Sequence, residues 1–268
     1  MSAEHRRRVE QLFDLVAPDY DRHVSFFGAL ADAFVDWLGV AAGSRAVDLG
    51  VGRGAVASRL EAQGAWVAKV DISTEMLRYN RGPRARMDAE QLGFRPGGFD
   101  LITSASTLHL LASPAAGLIE AVRCLRPGGR LAIALPRAVT GPWEEYFEIL
   151  GRYQHRLPPN PFHPTATPVG DLAEALGAAG LSQVSTHDAP VQVPISDPEA
   201  FLAGERSHGY RSLFDQLPAD ARVDVERDIL AWLRSKRQEG ELLLDRAAVF
   251  GVGTQLAANP AERAASPP

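Results

Sequence analysis

Residues 46–55, which read AVDLGVGRGA, constrain the fold more strongly than any other part of the chain. An apolar strand pattern runs directly into three glycines at alternate positions, and a helix pattern follows at 55–63. Glycine tolerates a positive φ and lets a ligand approach the backbone, and the first turn of the following helix offers free N–H groups. Such a turn is typical of ligand sites at the carboxyl edge of a parallel sheet.

Strand and helix patterns alternate through the first half of the chain. Apolar strand patterns lie at 45–49, 65–70, 83–88, 99–104 and 130–135. This rhythm predicts an α/β fold with a mostly parallel sheet that is covered on both faces. Beyond residue 136 the patterns predict helices at 141–154, 170–179, 198–217 and 219–238, an irregular proline-rich loop at 157–168, and strands at 184–193 and 242–252.

A carboxylate follows the second predicted strand. Asp71 lies 21 residues beyond Gly50 and ends that strand. A carboxylate in this place can accept hydrogen bonds from both hydroxyls of a ribose, which implies a ligand that contains a nucleoside. The spacing Gly50-x-Gly52-x-x-Ala55 also fits the relaxed dinucleotide fingerprint, so the glycines alone leave S-adenosylmethionine and a nicotinamide cofactor open.

Composition and charge limit the kinds of partner that the protein can bind. The formal net charge of −5 argues against a protein that binds phosphate backbones. Cys124 is the only cysteine, which excludes an internal disulfide and a cysteine-based zinc site, and histidines and carboxylates are not grouped at ligand spacing, so we expect no metal. The polar start and the lack of a long apolar run predict a cytoplasmic protein that binds no membrane. From the negative charge we expect that it binds no nucleic acid. We also expect a monomer or a homodimer.

Over about residues 11–136 the chain resembles the class I S-adenosylmethionine-dependent methyltransferases, in the small-molecule branch related to quinone-biosynthesis enzymes (methyltransferase type 11). Six motifs carry this resemblance in the family's order. They are Phe13-Asp14 through Tyr20-Asp21, Asp48-x-Gly50-x-Gly52-x-Gly54, Val70-Asp71-Ile72-Ser73-x-x-Met76-Leu77, Met87-Asp88-Ala89-Glu90, Phe99-Asp100-Leu101-Ile102 through His109, and Glu120-x-x-Arg123 through Gly129.

The resemblance implies a Rossmann-like fold with seven strands, a mostly parallel sheet, an antiparallel last strand and helices on both faces. It also implies one methyltransferase domain over 1–256, with an N-terminal helical lid (1–42), a cofactor-binding core (43–136) and a C-terminal half with inserted cap helices (137–256). Residues 257–268, which lack periodicity, are expected to form a disordered tail.

The cofactor implied by the resemblance is S-adenosylmethionine. The residues that the family pattern places around it are Tyr20, Asp48, Gly50, Gly52, Asp71, Ile72, Met76, Asp88, Ala89 and Ser104. In that pattern the glycines pass beneath the methionine part, Asp71 takes the ribose hydroxyls, and Asp88 contacts the adenine amino group. Tyr20 either closes over the cofactor or packs the first helix. Arg53 stands where the family often has a small residue, and we expect its side chain to point away.

His109 follows the fourth strand and is the candidate base for methyl transfer, although a loop histidine bonded to the backbone is an equal interpretation. The candidates for substrate binding are His23, Trp143, Phe147, Phe162, Phe201, His208 and Tyr210. The aromatic residues among them are equally suited to a core.

The sequence therefore predicts a methyltransferase that acts on a small molecule, with in-line transfer to oxygen, nitrogen or carbon. Two alternatives stay open. One is an NAD-dependent oxidoreductase, which would retain a nicotinamide cofactor. The other is a protein that keeps S-adenosylmethionine but catalyses a different reaction in the same cleft, such as cyclisation.

Overall fold

The computed structural model describes residues 2–137, 142–159, 161–162, 169–240 and 242–256. The predicted tail at 257–268 and most of the proline-rich loop lie outside these residues. The strands are β1 Arg45–Leu49, β2 Trp66–Asp71, β3 Arg84–Arg86, β4 Phe99–Ala105, β5 Leu125–Pro136, β6 Leu181–Ala189, β7 Gln192–Pro194, β8 Leu243–Asp245 and β9 Ala248–Gln255. The helices are α1 Ser2–Val16, α2 Phe26–Leu38, α3 Ala55–Ala62, α4 Thr74–Leu77, α5 Pro114–Cys124, α6 Pro142–Arg152, α7 Leu172–Ala178, α8 Pro198–Glu205, α9 Arg211–Gln216 and α10 Ala219–Glu239.

The main sheet has the order β3-β2-β1-β4-β5-β9-β6 in the described part of the chain. The first five of these strands pair in parallel, and β9 runs antiparallel to both β5 and β6. The predicted seven-stranded sheet with an antiparallel last strand is therefore confirmed. A separate two-stranded sheet pairs β7 with β8.

Helices bury both faces of the sheet, which explains why its central strands are apolar without alternation. On β1, Ala46 belongs to the core that contains α2 and α3, whereas Val47 belongs to the core that contains α5 and α7. The first of these cores continues into α6, α8 and α10, so the C-terminal helices pack as an extension of the α2 face. None of the described helices is long and apolar enough to cross a membrane.

Several elements differ from the sequence prediction. The strands predicted over 184–193 and 242–252 are each divided in two, into β6 and β7 and into β8 and β9, and β7 pairs with β8 in the small second sheet. β5 begins at Leu125 and not at Arg130, because Leu125 pairs with Phe99 before an irregularity restarts the register at Arg130 and Leu101. The helix predicted over 198–217 is divided into α8 and α9. Ser207 ends α8 by donating from both its backbone N–H and its hydroxyl to the carbonyl oxygen of Gly204, at 2.8 Å each. This break matters for the site because it brings residues 208–210 to a cavity wall.

Candidate active site

The glycine turn after β1 uses each of its glycines for a different reason. Gly50, Gly52 and Gly54 all have a positive φ, at 67°, 53° and 92°. A Cβ on Gly50 would lie 2.1 Å from Thr107 Oγ1, and one on Gly54 would lie 2.5 Å from Asn80 Oδ1. A Cβ on Gly52 would have nothing within 4 Å. Two glycines are thus required by neighbouring side chains, and Gly52 borders open space that a ligand can fill.

Asp71 ends β2 beside this turn and is 8% exposed. Its Oδ2 accepts the N–H of Gly52 and its Oδ1 accepts the N–H of Ser73, both at 2.8 Å. A carboxylate has about four lone-pair positions, so each oxygen can still accept one further bond. Burial raises the pKa of Asp71 to about 6. The residue can therefore accept two neighbouring hydroxyls of a ligand.

Asp48 lies behind the glycine turn and is 2% exposed. Thr103 Oγ1 donates to its Oδ1 at 2.8 Å, and burial raises the pKa of Asp48 to about 7. Asp48 lines a hollow beside the turn together with Gly50, Gly52 and Arg53. Asn80, which sequence reasoning missed, holds the turn from the other side by donating to the carbonyl oxygen of Gly52 at 2.8 Å.

A narrow cleft runs from the glycine turn along the carboxyl edge of the sheet. Eight of the ten residues expected around the cofactor line this cleft: Tyr20, Gly50, Gly52, Asp71, Ile72, Met76, Asp88 and Ala89. Ser104 does not line it, because Ser104 is buried within β4 and pairs in register with Ile133 of β5. Ala105, Ser106 and Thr107 form the wall there instead, since the chain leaves the strand at Ser106 with a φ of 52°.

Helix α1 covers the cleft and is fixed by polar contacts. Arg6 Nη1 donates to Asp88 Oδ2 at 2.6 Å, and His5 Nε2 donates to the carbonyl oxygen of Leu110 at 2.8 Å. Near the other end of the helix, the carboxylate of Asp14 accepts from Ser73 Oγ at 2.6 Å. The Arg6 contact was not among the predictions from the sequence.

The segment between α1 and α2 is held by Arg53. Arg53 Nη1 donates to the carbonyl oxygen of Tyr20 at 2.8 Å, so its side chain reaches the lid. Asp21 caps α2 by accepting the N–H groups of Phe27 and Gly28 at 3.1 Å each. These contacts place the ring of Tyr20 at the open side of the cleft, stacked on Phe27 with 5.0 Å between ring centroids.

A second, larger cavity of about 1040 Å³ opens next to the cleft. Four residues line both spaces, namely Phe13, Tyr20, Ser106 and Leu110. His109, Phe147, His208 and Tyr210 also line the larger cavity, as do Phe26, Phe27, Leu135 and Arg246. The two spaces therefore meet where α1, the segment between α1 and α2, and the end of β4 come together.

Four candidates for substrate binding lie elsewhere. Trp143 and Phe201 are 2% and 1% exposed and pack on each other in the core, with 5.3 Å between ring centroids. Phe162 lies against α1, where the Arg8 guanidinium is 4.2 Å from its ring centroid. His23 is exposed and is not among the residues that line the cavity. The structure thus does not bring these four together with the cavity lining: two fill the core, and two lie outside the cavity.

His208 occupies an unusual position in the cavity wall. It is 7% exposed, and neither ring nitrogen has a hydrogen-bond partner among the described residues. The rings of Tyr20 and Phe27 pack against it, with centroids at 5.2 Å and 5.3 Å. Burial lowers the pKa of His208 to about 4, so its imidazole is neutral at physiological pH.

Comparisons with known proteins agree with this geometry. Residues 47–133 match a family model described as a methyltransferase domain. A demethylmenaquinone methyltransferase from Beutenbergia cavernae is 32% identical over 217 residues, which cover 76% of this chain and 85% of that protein. Nocamycin O-methyltransferase from Saccharothrix syringae is 25% identical over 271 residues, which cover 90% and 96%.

Among solved structures, phosphoethanolamine N-methyltransferase 2 of Haemonchus contortus in complex with S-adenosylmethionine superimposes with a TM-score of 0.52 and 17% identity. The match covers 85% of this chain and 52% of that chain and shows a shared fold. Neither the oxidoreductase nor the cyclisation alternative is favoured by these relatives. The cofactor is S-adenosylmethionine, and the chain belongs to the class I S-adenosylmethionine-dependent methyltransferases that act on small molecules.

Proposed function

We propose that the narrow cleft holds S-adenosylmethionine and that the larger cavity holds the methyl acceptor. The observation that carries this proposal is the junction of the two spaces at Phe13, Tyr20, Ser106 and Leu110. Reactants held on the two sides of this junction face each other directly, and positioning of this kind is a large part of the catalysis of group transfer.

The chain's own residues divide the work of binding the cofactor. Asp71 accepts the ribose hydroxyls with the lone pairs that Gly52 and Ser73 leave free. The open space at Gly52 takes the methionine part, Ile72 and Met76 pack on the adenine, and Asp88 with the Ala89 backbone faces its amino group. Asp48 supports the turn from behind, and Ser106, which follows β4 and lines the cleft, takes the place expected for Ser104.

When bound, S-adenosylmethionine supplies an activated methyl group. The protein orients the acceptor, excludes water through α1 and Tyr20, and takes up a proton where the acceptor loses one. His109 is the candidate for the last role because it lines the acceptor cavity between Leu108 and Leu110, next to the junction. His109→Gln is expected to lower kcat while leaving the affinity for S-adenosylmethionine unchanged.

The acceptor is a mostly apolar molecule that contains a ring. Phe26, Phe27, Leu135 and Phe147 supply flat apolar walls in a cavity of about 1040 Å³, which suits a ligand of that kind. The relatives named for demethylmenaquinone and nocamycin support the same class. The negative net charge supports a protein that binds no nucleic acid, and the single cysteine fits the reducing cytoplasm. A monomer or homodimer remains our expectation.

Substitution of Gly52 tests the cofactor site. Gly52→Val places a branched side chain in the open space of the cleft, and we expect calorimetric titration to show no binding of S-adenosylmethionine. Gly97→Val is the matched control, because Gly97 also has a positive φ of 73° and an unobstructed Cβ position but lies in an exposed turn before β4. The control carries the same backbone strain and should bind normally.

If folded Gly52→Val binds S-adenosylmethionine as the wild type does, the cleft is not the cofactor site.

The wild-type protein should also release S-adenosylhomocysteine when it is incubated with hydroxylated naphthoquinols as trial acceptors. Binding of NAD in place of S-adenosylmethionine would support the oxidoreductase, and product without S-adenosylhomocysteine would support cyclisation.

A further inference from the structure

A largely buried arginine lines the cavity that we assign to the acceptor. Arg246 lies in the turn between β8 and β9, and its side chain is 17% exposed. Its guanidinium lies 5.5 Å from the ring centroid of Tyr210 and 5.9 Å from that of Phe26, so aromatic rings support it on the cavity side. A cation in such a place is costly unless it is paired, and the site must supply partners for it.

One partner is Glu205, at the end of α8. Arg246 Nη2 donates to Glu205 Oε1 at 2.6 Å, and the Tyr146 hydroxyl donates to Glu205 Oε2 at 2.7 Å. Glu205 is 2% exposed. Burial and the neighbouring carboxylate raise the pKa of Tyr146, which keeps this hydroxyl a donor. The carboxylate is thus held on both oxygens, and the guanidinium is fixed in orientation.

Arg246 has further donors that the described residues leave unused. A guanidinium has five N–H donors. Within the described residues, no oxygen accepts a hydrogen bond from Nε or Nη1 of Arg246. Because Arg246 lines the cavity, these donors are available to a ligand in the space that we assign to the acceptor. The acidic residues of the same cavity, Glu144, Glu148 and Asp171, are exposed at its mouth, where water screens their charge.

We propose that Arg246 binds an anionic oxygen of the acceptor, a carboxylate, phenolate or enolate attached to its apolar body. This proposal rests on the assignment of the larger cavity to the acceptor. Charge-assisted hydrogen bonds are roughly twice as strong as neutral ones, and few polar groups compete in this part of the wall. Arg246 does not line the cofactor cleft, so the oxygen that it binds is a handle that orients the acceptor and not the atom that is methylated.

Two probes of nearly the same shape, one anionic and one neutral, test the proposal: 1-hydroxy-2-naphthoate and its amide, 1-hydroxy-2-naphthamide. Calorimetry should show that the wild type binds the acid about tenfold more tightly than the amide, or better. Arg246→Gln should bring this ratio close to one. Arg206→Gln is the matched control, because Arg206 forms an ion pair with Glu226 next to Glu205 but does not line the cavity. The control should keep the wild-type ratio.

Glu205→Gln separates recognition from a structural role. The substitution keeps the hydrogen-bonding shape but leaves the guanidinium charge uncompensated, so the preference for the acid should increase. A purely structural ion pair predicts instead that both variants weaken the two probes equally. If Arg246→Gln does not fold, Arg246→Lys can replace it in the test. Lysine keeps the positive charge but lacks the paired N–H donors of a guanidinium, so this variant should retain only part of the preference for the acid.

A wild type that binds the acid no more tightly than the amide, or binds neither, overturns the proposal. The titrations are run with and without S-adenosylhomocysteine. Failure of the protein to bind either form of the cofactor would refute the proposed function, whereas the ratio of the two probes in the free protein would still decide the role of Arg246.

Discussion

Two carboxyl groups, Asp48 and Asp71, are buried beneath one glycine turn, and burial raises the pKa of both. They differ in what their oxygens face. Asp48 accepts from Thr103 on the inner side of the turn, whereas Asp71 is bonded to backbone N–H groups on the side that lines the cleft. Of the two residues, only Asp71 lines the narrow cleft, and we therefore expect its protonation to affect cofactor affinity.

Substitution of Asp71 should weaken binding of S-adenosylmethionine in a pH-dependent way. At pH 8 we expect Asp71→Asn to lose about ten- to a hundredfold in affinity, because hydrogen bonds to a charged group are replaced by weaker ones. Wild-type affinity should decrease as the pH falls through about 6, where the carboxyl group gains a proton. The variant should lack this step.

Calorimetry at pH 5 and pH 8 measures the difference, and the ionisation of the cofactor itself cancels between the two proteins. Glu75→Gln serves as the control, because Glu75 is a nearby carboxylate that does not line the cleft. An Asp71→Asn protein that keeps both wild-type affinity and its pH dependence would contradict the ribose role.

The place of the residues near the glycine turn could be predicted from the sequence, because each of their motifs is one short segment that directly follows a strand. The aromatic residues of the C-terminal half could not be divided into core and cavity in the same way. Trp143 and Phe147 stand four positions apart on α6, yet Trp143 is buried against Phe201 while Phe147 lines the cavity. The Tyr146–Glu205–Arg246 network joins distant segments, so only the tertiary structure reveals it.

At the scale of elements, the sequence predicts the order of the helices and strands well, and the differences arise where pairing overrides local pattern. The residues Pro127-Gly128-Gly129 mark a helix end in the sequence, but they form an irregularity inside β5 because Leu125 already pairs with Phe99. One contact of the lid was not predicted. Arg53, a residue of the glycine turn itself, donates to the carbonyl oxygen of Tyr20 and so holds the segment between α1 and α2.

Arg53→Gln should loosen the lid without disturbing the sheet. Loss of the bond to the Tyr20 carbonyl is expected to weaken binding of S-adenosylmethionine by about tenfold and to speed amide exchange at residues 18–24. Arg78→Gln is the control, because Arg78 bonds to Glu75 at an exposed site. Unchanged affinity and exchange in Arg53→Gln would show that the lid is held by other contacts.

At the scale of the whole molecule, the sheet half lines the narrow cleft that we propose for the cofactor, whereas α6 and the segments around Tyr210 and Arg246 line part of the cavity that we propose for the acceptor. The core of α6, α8 and α10 is continuous with the core of α2. We therefore infer that aromatic residues of this half serve two separate purposes. Some are buried in the packing, and others line the larger cavity.

Alanine substitutions should separate these purposes. Phe147→Ala and Tyr210→Ala are expected to change the acceptor KM with little change in Tm, because both residues line the cavity. Trp143→Ala and Phe201→Ala should lower the free energy of unfolding by about 3–5 kcal/mol, because both side chains are buried. Thermal melts and acceptor kinetics at saturating cofactor measure the two effects. Equal loss of stability in all four variants would argue against the division.

The strand that completes the sheet is the last of its strands to be synthesised. β9 spans Ala248–Gln255, yet it pairs with β5 on one side and β6 on the other. Both β5 and β6 are therefore synthesised before the strand that joins them. Until β9 leaves the exit tunnel, the facing edges of β5 and β6 stay open, and open edges promote aggregation. We therefore expect a chain that terminates before residue 248 to aggregate in the cell and not to fold into a shorter enzyme.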